Sequence, residues 1–396
     1  MSYFYTDARN LAFTLFYSIL KRRVFLMREV LHEENVGSLV KASLRMWGRS
    51  SPRRFFFFIK VFIRFWRAEL RRKCGIRRLG AHICRVIALS PTMRCNYDCI
   101  GCYSRNRPVH DELSTEELES LFCQAERYGI FAIVLTGGEP LLREDLLSLV
   151  RSHRKLLFVL ITNGSLLTDE KARLLAKSGN TVTLVSIEGH FQHTENRRGP
   201  GSHCCALEAL QMLRIAGACY GFATTVTSAN MHDVSDERFI DKMADLGCAV
   251  GYLVEYVPCG AAPHEELIMN SEASETFRKK VCTLRRSKPI VLIHFPDDEY
   301  GRENRCSAAG RASVHINSQG DIEPCPFVSI SRENIRDGGL EAVFTSPFLR
   351  EIRKRPELLR REKYACALFE HRAELASLLS EIDGDGAPSL SVSPSQ

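Results

Sequence analysis

The sequence predicts an α/β fold, a partial (β/α)6 barrel of TIM type with an N-terminal helical module and a small C-terminal extension. Three observations carry this expectation. From about Cys84, short β-type runs alternate with helical stretches, and six such runs occur. Each run leads through a turn into a helix, which makes the strands parallel and the crossovers right-handed. A chain of 396 residues with 45% hydrophobic content can also bury the core that this architecture needs. The domain reading is 1–83 for the helical module, 84–300 for the partial barrel and 301–375 for the extension. A tail over 383–396, rich in Gly, Ser, Pro and Asp, reads as disordered.

The first 80 residues hold 18 Lys and Arg against 5 Asp and Glu, so they carry more positive charge than the whole chain's +7. Leu11 to Val30 mixes a short apolar run with Lys21, Arg22 and Arg23. In Phe55 to Lys73, Lys60, Arg64, Arg67 and Arg71 fall on one helical face amid Phe, Val, Ile and Trp. Three readings stand for this basic, apolar helix. It can pack on the catalytic region, lie at a membrane surface through residues 11–73, or hold an acidic leader peptide or nucleic acid. Nucleic acid is the least favoured of these partners. No stretch reaches the 18 apolar residues of a spanning helix.

The strands follow in order: Arg85–Leu89, Phe131–Leu135, Leu157–Ile161, Val182–Ile187, Tyr220–Val226 and Val250–Tyr256. Helices are expected near 143–153, 168–178, 203–217 and 233–247. Another opens at Ser114, where Glu117 completes a capping box. In such barrels functional residues sit at the C-terminal strand ends.

At the first of those ends stand Cys95, Cys99 and Cys102, spaced C-x3-C-x2-C. Three thiolates at this spacing reach three irons of one [4Fe–4S] cube and leave the fourth iron open. Zinc remains the alternative, although it normally takes four ligands in two spaced pairs. The second strand ends in Thr136-Gly137-Gly138-Glu139-Pro140. Paired glycines let backbone approach a ligand closely, and Glu139 offers an anionic partner to an ammonium group. Cysteine loop and glycine turn together resemble the radical S-adenosylmethionine (SAM) superfamily. The resemblance implies that Cys95, Cys99 and Cys102 hold the cluster and that Gly137, Gly138, Glu139 and Pro140 meet the methionine part of SAM. Asn163, in Thr162-Asn163-Gly164, and Ser186 and Glu188 at the fourth strand end are further expected SAM contacts, with Thr225 and Thr227 at the fifth. One departure is Gly101, where the family often carries an aromatic residue near adenine.

Cys306 and Cys325 bracket an apparent β-hairpin, Val314–Pro324, and Cys366 follows after a helix near Phe348–Arg353. This resembles a shortened SPASM-type extension, which implies one auxiliary [4Fe–4S] cluster on Cys306, Cys325 and Cys366. Cys259, His371 or the substrate stand as candidates for its fourth iron. Cys74, Cys123, Cys204, Cys205, Cys219, Cys248 and Cys282 read as core-packing thiols.

The resemblance implies reductive cleavage of SAM to methionine and a 5′-deoxyadenosyl radical, which abstracts hydrogen from an unactivated C–H. A peptide or protein is the expected substrate, with a lipid or other membrane-associated small molecule as the alternative. An external one-electron donor such as flavodoxin or ferredoxin would supply the reductant. Fifteen cysteines in a long chain with no basic-then-apolar leader fit an oxygen-sensitive, cytoplasmic protein, with the inner membrane face as the alternative location. From another class, an iron–sulfur carrier or zinc protein has no use for the glycine turn.

Overall fold

The computed structural model describes residues 52–384, apart from 106, 261–262 and 301–303. The helix expected over Leu11–Val30 lies outside the described residues, as does the tail beyond Gly384. Helix α1 (Pro52–Leu79) ends in Arg77 and Arg78, which suit the negative end of its dipole. It docks on the barrel: Phe65 is buried edge-on against Phe131 at 5.2 Å, and Arg64 Nε donates to the Arg154 carbonyl at 2.9 Å. Lys60 and Arg67 face solvent, as do Ile63 and Leu70. No described helix is long and apolar enough to cross a membrane.

The barrel units follow: β1 (Val86–Leu89), α2 (Thr115–Tyr128), β2 (Ala132–Leu135), α3 (Leu146–Ser152), β3 (Leu157–Thr162), α4 (Asp169–Ser178) and β4 (Thr181–Ser186). Then come α5 (Phe191–Arg198), α6 (Ser202–Ala216), β5 (Cys219–Val226), α7 (Met231–Val234), α8 (Glu237–Asp245), β6 (Val250–Glu255), α9 (Ser271–Ser287) and β7 (Val291–Phe295). Ser114 and Glu117 form the expected capping box on α2. All seven strands are parallel and lie in chain order. Phe122, Phe158, Phe222 and Phe239 are fully buried in the hydrophobic core that joins sheet and helices.

The sheet is wider than six strands. The five-residue run Val291–Phe295, bracketed by Pro289 and Pro296, adds a seventh parallel strand. After α10 (Asp297–Tyr300), β8 (Ser313–Ile316) pairs in parallel with β1, and β9 (Ile322–Glu323) returns antiparallel to it. The C-terminal hairpin is therefore part of the same sheet, ordered β7-β6-β5-β4-β3-β2-β1-β8-β9. Short helices complete the described chain: α11 (Ile335–Thr345), α12 (Pro347–Lys354), α13 (Ala367–Glu370) and α14 (Arg372–Gly384).

Candidate active site

Cys95, Cys99 and Cys102 all wall one cavity of about 300 Å³ at the C-terminal strand ends. Cys95 is exposed, Cys102 half-buried and Cys99 buried. Burial pushes the Cys95 and Cys99 thiols up, and Arg198 and Arg197 pull Cys99 back down. Arg198 Nη1 lies 3.9 Å from Cys99 Sγ. Positive charge beside a thiol favours the thiolate that a metal needs.

The glycine turn after β2 closes onto this loop. The Gly138 N–H donates to the Thr92 carbonyl at 2.9 Å, and the Glu139 N–H to Arg94 at 2.8 Å. A Cβ on Gly138 would stand 2.1 Å from the Arg94 oxygen, and Gly137 has φ +101°. These glycines thus serve the approach of two protein backbones as well as that of a ligand. Glu139 is buried on the cavity wall. Its Oε1 accepts from Thr162 Oγ1 (2.8 Å) and the Leu141 N–H (3.0 Å), its Oε2 from the Asn163 N–H (2.7 Å). Burial still pushes this carboxyl up, so a cation arriving beside it would recover much of its lost solvation.

Asn163 and Ser186 also reach the wall, as do Gly137 and Gly138. Pro140 does not: it opens a 3-10 turn behind the wall. Glu188 departs further from its expected place as a direct SAM contact. It is fully buried, and its Oε1 takes Arg197 Nη1 (2.7 Å) and Arg198 Nη2 (2.6 Å) while Oε2 takes the Thr225 N–H (2.8 Å). Its carboxylate is spent on holding Arg197 and Arg198, which themselves line the cavity. Thr225 lines the cavity too, whereas Thr227 bonds back to Asn230.

Several wall residues went unread in the sequence. Tyr103, directly after Cys102, shares a hydrogen bond with Thr136 Oγ1 at 2.8 Å and accepts from the Gly137 N–H at 3.0 Å. Tyr256, just after β6, explains Gly101. That glycine has φ +66°, and a Cβ there would meet the Tyr256 ring at 2.8 Å. The ring from a distant loop occupies the space that a side chain at 101 would need. Glu299, on α10, lines the cavity with its carboxyl hydrogen-bonded to Ser307 Oγ. Burial raises it, and Asp298 adds to the effect.

Cys306, Cys325 and Cys366 wall the same cavity, and all three are buried. Proximity to Cys366 and burial push the Cys325 thiol well up, while Cys325 and the nearby Phe369 and Leu368 N–H groups bring Cys366 down. Cys259 is buried behind the wall, its thiol pushed up to about 12 by burial and by the neighbouring Cys366. His371 lies off the wall, 3.5 Å from Glu374. Arg107 ties the two cysteine sets together: Nη1 bonds both Glu323 oxygens at 2.9 Å, and Nη2 bonds the Pro326 carbonyl at 2.7 Å. Of the other thiols, Cys219 and Cys248 are core residues as expected. Cys74, Cys123 and Cys204 are instead exposed, because their helical positions face away from the sheet, and Cys205 and Cys282 are half-buried.

Three sulfurs, a buried carboxylate and a glycine turn on one wall suit a cluster with an open iron and a zwitterionic amino-acid ligand. Three further buried sulfurs on the same cavity suit a second cluster. Residues 89–246 match the family model of the radical SAM superfamily, and residues 306–367 match that of the SPASM iron–sulfur cluster-binding domain. The AdoMet-dependent heme synthase of Oleidesulfovibrio alaskensis is 29% identical over 306 residues, covering 69% of this chain and 78% of that protein. The PqqA peptide cyclase of Rhizobium meliloti is 26% identical over 274 residues, covering 64% and 71%. Among solved structures, Streptococcus suis SuiB bound to S-adenosylmethionine aligns with a TM-score of 0.60 at 16% identity, covering 71% of this chain and 70% of that one.

Proposed function

Since the chain belongs to the radical SAM superfamily and carries a SPASM-type extension, we propose that it oxidises an unactivated C–H of a peptide substrate held between its two cysteine sets. It is a radical SAM enzyme, and its cofactors are SAM, a [4Fe–4S] cluster and auxiliary iron–sulfur. When bound, these groups supply reductive SAM cleavage, hydrogen-atom abstraction and a local acceptor for an electron. The observation that carries the reading is the single chamber walled by both sets, Cys95, Cys99 and Cys102 together with Cys306, Cys325 and Cys366.

In this reading Cys95, Cys99 and Cys102 bind the first cluster. Glu139, Gly137 and Gly138 orient the amino group of SAM. Asn163 and Ser186 contact the rest of it, and Arg197 and Arg198 face its carboxylate. Cys306, Cys325 and Cys366 bind one auxiliary cluster, with Cys259 in reserve for its fourth iron. Val134, Val254, Phe295 and Phe327 exclude water from the chamber. Loss of a hydrogen atom and an electron from substrate also releases a proton, and Glu299, a buried carboxyl of raised basicity, is placed to take it. An external reductant such as flavodoxin or ferredoxin primes the site.

The peptide assignment draws on the likeness to the PqqA peptide cyclase. A porphyrin-type substrate is the second reading, favoured by the heme synthase that spans 69% of this chain. Lipid remains an outcome of the test, motivated by Ile63 and Leu70 exposed on α1. The decisive experiment is anaerobic reconstitution followed by iron, sulfide and 5′-deoxyadenosine assays with a peptide library, iron-coproporphyrin III and lipid vesicles. About eight irons per chain and peptide-stimulated deoxyadenosine release are expected. The Cys95→Ala/Cys99→Ala/Cys102→Ala variant should keep about four irons and release none. Stimulation by the porphyrin alone overturns the peptide assignment. Glu299→Gln should lower product formation at least tenfold while SAM cleavage continues, a split measured as deoxyadenosine per product.

A further inference from the structure

Away from the chamber, one side-chain cluster in the outer helical layer has the composition of a metal site. Glu119 and Cys123 stand one turn apart on α2, and His153 follows the end of α3. One ligand atom from each lies within 4.8 Å of the other two. His153 is only 4% exposed. Its Nε2 sits 3.1 Å from Glu119 Oε2 yet makes no hydrogen bond. A buried imidazole nitrogen beside a carboxylate and a thiol, and hydrogen-bonded to neither, is a donor atom free to take an ion.

The surroundings agree. The imidazole packs edge-on against Phe122 at 5.4 Å, which fixes its plane. Glu126 Oε1 accepts from the Lys155 N–H at 3.2 Å and lies 3.7 Å from Nδ1, so it adds negative charge beside the ring without a hydrogen bond to it. Cys123 is exposed, so an ion can reach it, and Glu119 and Glu126 make its surroundings negative. One sulfur, one nitrogen and one carboxylate favour zinc over magnesium or calcium, and a lone thiol rules out an iron–sulfur cube.

We propose that Glu119, Cys123 and His153 bind one zinc-type divalent cation, with water at the fourth position. The ion would join α2 to the turn between α3 and β3. On that turn Arg154, next to His153, gives its carbonyl to Arg64 of α1. The bound ion would therefore stiffen the seat of the basic N-terminal helix.

The test uses the full-length, cluster-loaded protein given zinc and passed through a desalting column. About one zinc per chain should remain, and zinc-edge X-ray absorption, which iron does not disturb, should show one sulfur neighbour near 2.3 Å. Cys123→Ser and His153→Gln should each weaken zinc binding at least about tenfold. The Cys95→Ala/Cys99→Ala/Cys102→Ala variant should retain its zinc, which separates this site from the cluster sites. SAM cleavage by Cys123→Ser should equal wild type. Failure of wild type to retain zinc, a spectrum with several sulfurs, or unchanged binding in Cys123→Ser overturns the proposal.

Discussion

Glu188 shows how a single side chain sets the charge of the chamber. Burial pushes its carboxyl up, but Arg198 and Arg197 outweigh that and hold it below its ordinary value. The ion group therefore contributes stability at neutral pH and loses it as pH falls below about 4.3 and through the depressed folded value. Glu188→Gln should cost about 3–5 kcal/mol near neutrality by leaving two buried guanidinium groups short of charge. It should also flatten the fall in stability between about pH 5 and 3. Urea midpoints of cluster-free protein across that range measure both; an unchanged slope would place the acid sensitivity elsewhere. At this scale the sequence was legible where the chemistry is contiguous. Cys95, Cys99, Cys102 and Gly137–Glu139 announce themselves by spacing. Arg197, Arg198, Tyr256 and Glu299 do not, because each acts on a partner in another loop, and no local period encodes that meeting. Glu188 was located correctly at a strand end, but its commitment to two arginines depends on where α5 turns back.

Among elements, the hairpin of β8 and β9 governs how the C-terminal cysteines reach the chamber that the first set lines. It is fixed along one side by pairing with β1, and at its end by Arg107. Glu323, which receives Arg107, also lies 2.7 Å from His315 Nδ1. Removing the guanidinium leaves a buried carboxylate with a weaker partner. Arg107→Ala should destabilise by about 3–5 kcal/mol. It should also reduce iron from about eight toward four per chain, with the first cluster still able to cleave SAM. Thermal unfolding and iron assays read the two effects separately, and full iron retention would show that β1 alone positions the hairpin. The six central strands could be read from sequence since each is a buried run between turns. The joining of β7 and β8 to the sheet could not: strand pairing is a long-range event, and β8 meets β1 across more than two hundred residues of chain.

For the molecule as a whole, the pairing of β1 with β8 makes the C-terminal part a structural component of the barrel. A chain ending after residue 300 would leave the β1 edge bare, along with apolar surface on Leu89 and Ile87, which are fully buried in the intact fold. It should be aggregation-prone instead of surviving as a one-cluster enzyme; circular dichroism and gel filtration of that fragment check this. A monomeric, folded fragment with SAM cleavage would show the two parts to be separable. The N-terminal helix belongs to the same body through Phe65 and Arg64, so of its basic stripe Lys60 and Arg67 are presented to solvent from a fixed platform.

The shared chamber also imposes an order in time. Cys306, Cys325 and Cys366 are 4%, 6% and 2% exposed, while Cys95 is open to solvent. Iron delivered to the finished fold reaches the set that holds the exposed Cys95 more readily than the set whose three sulfurs are all covered. Maturation of the folded chain should therefore run from the exposed set to the covered one. Iron added to the folded, empty protein should enter in a fast and a slow phase. The triple alanine variant should lose the fast phase and keep the slow one.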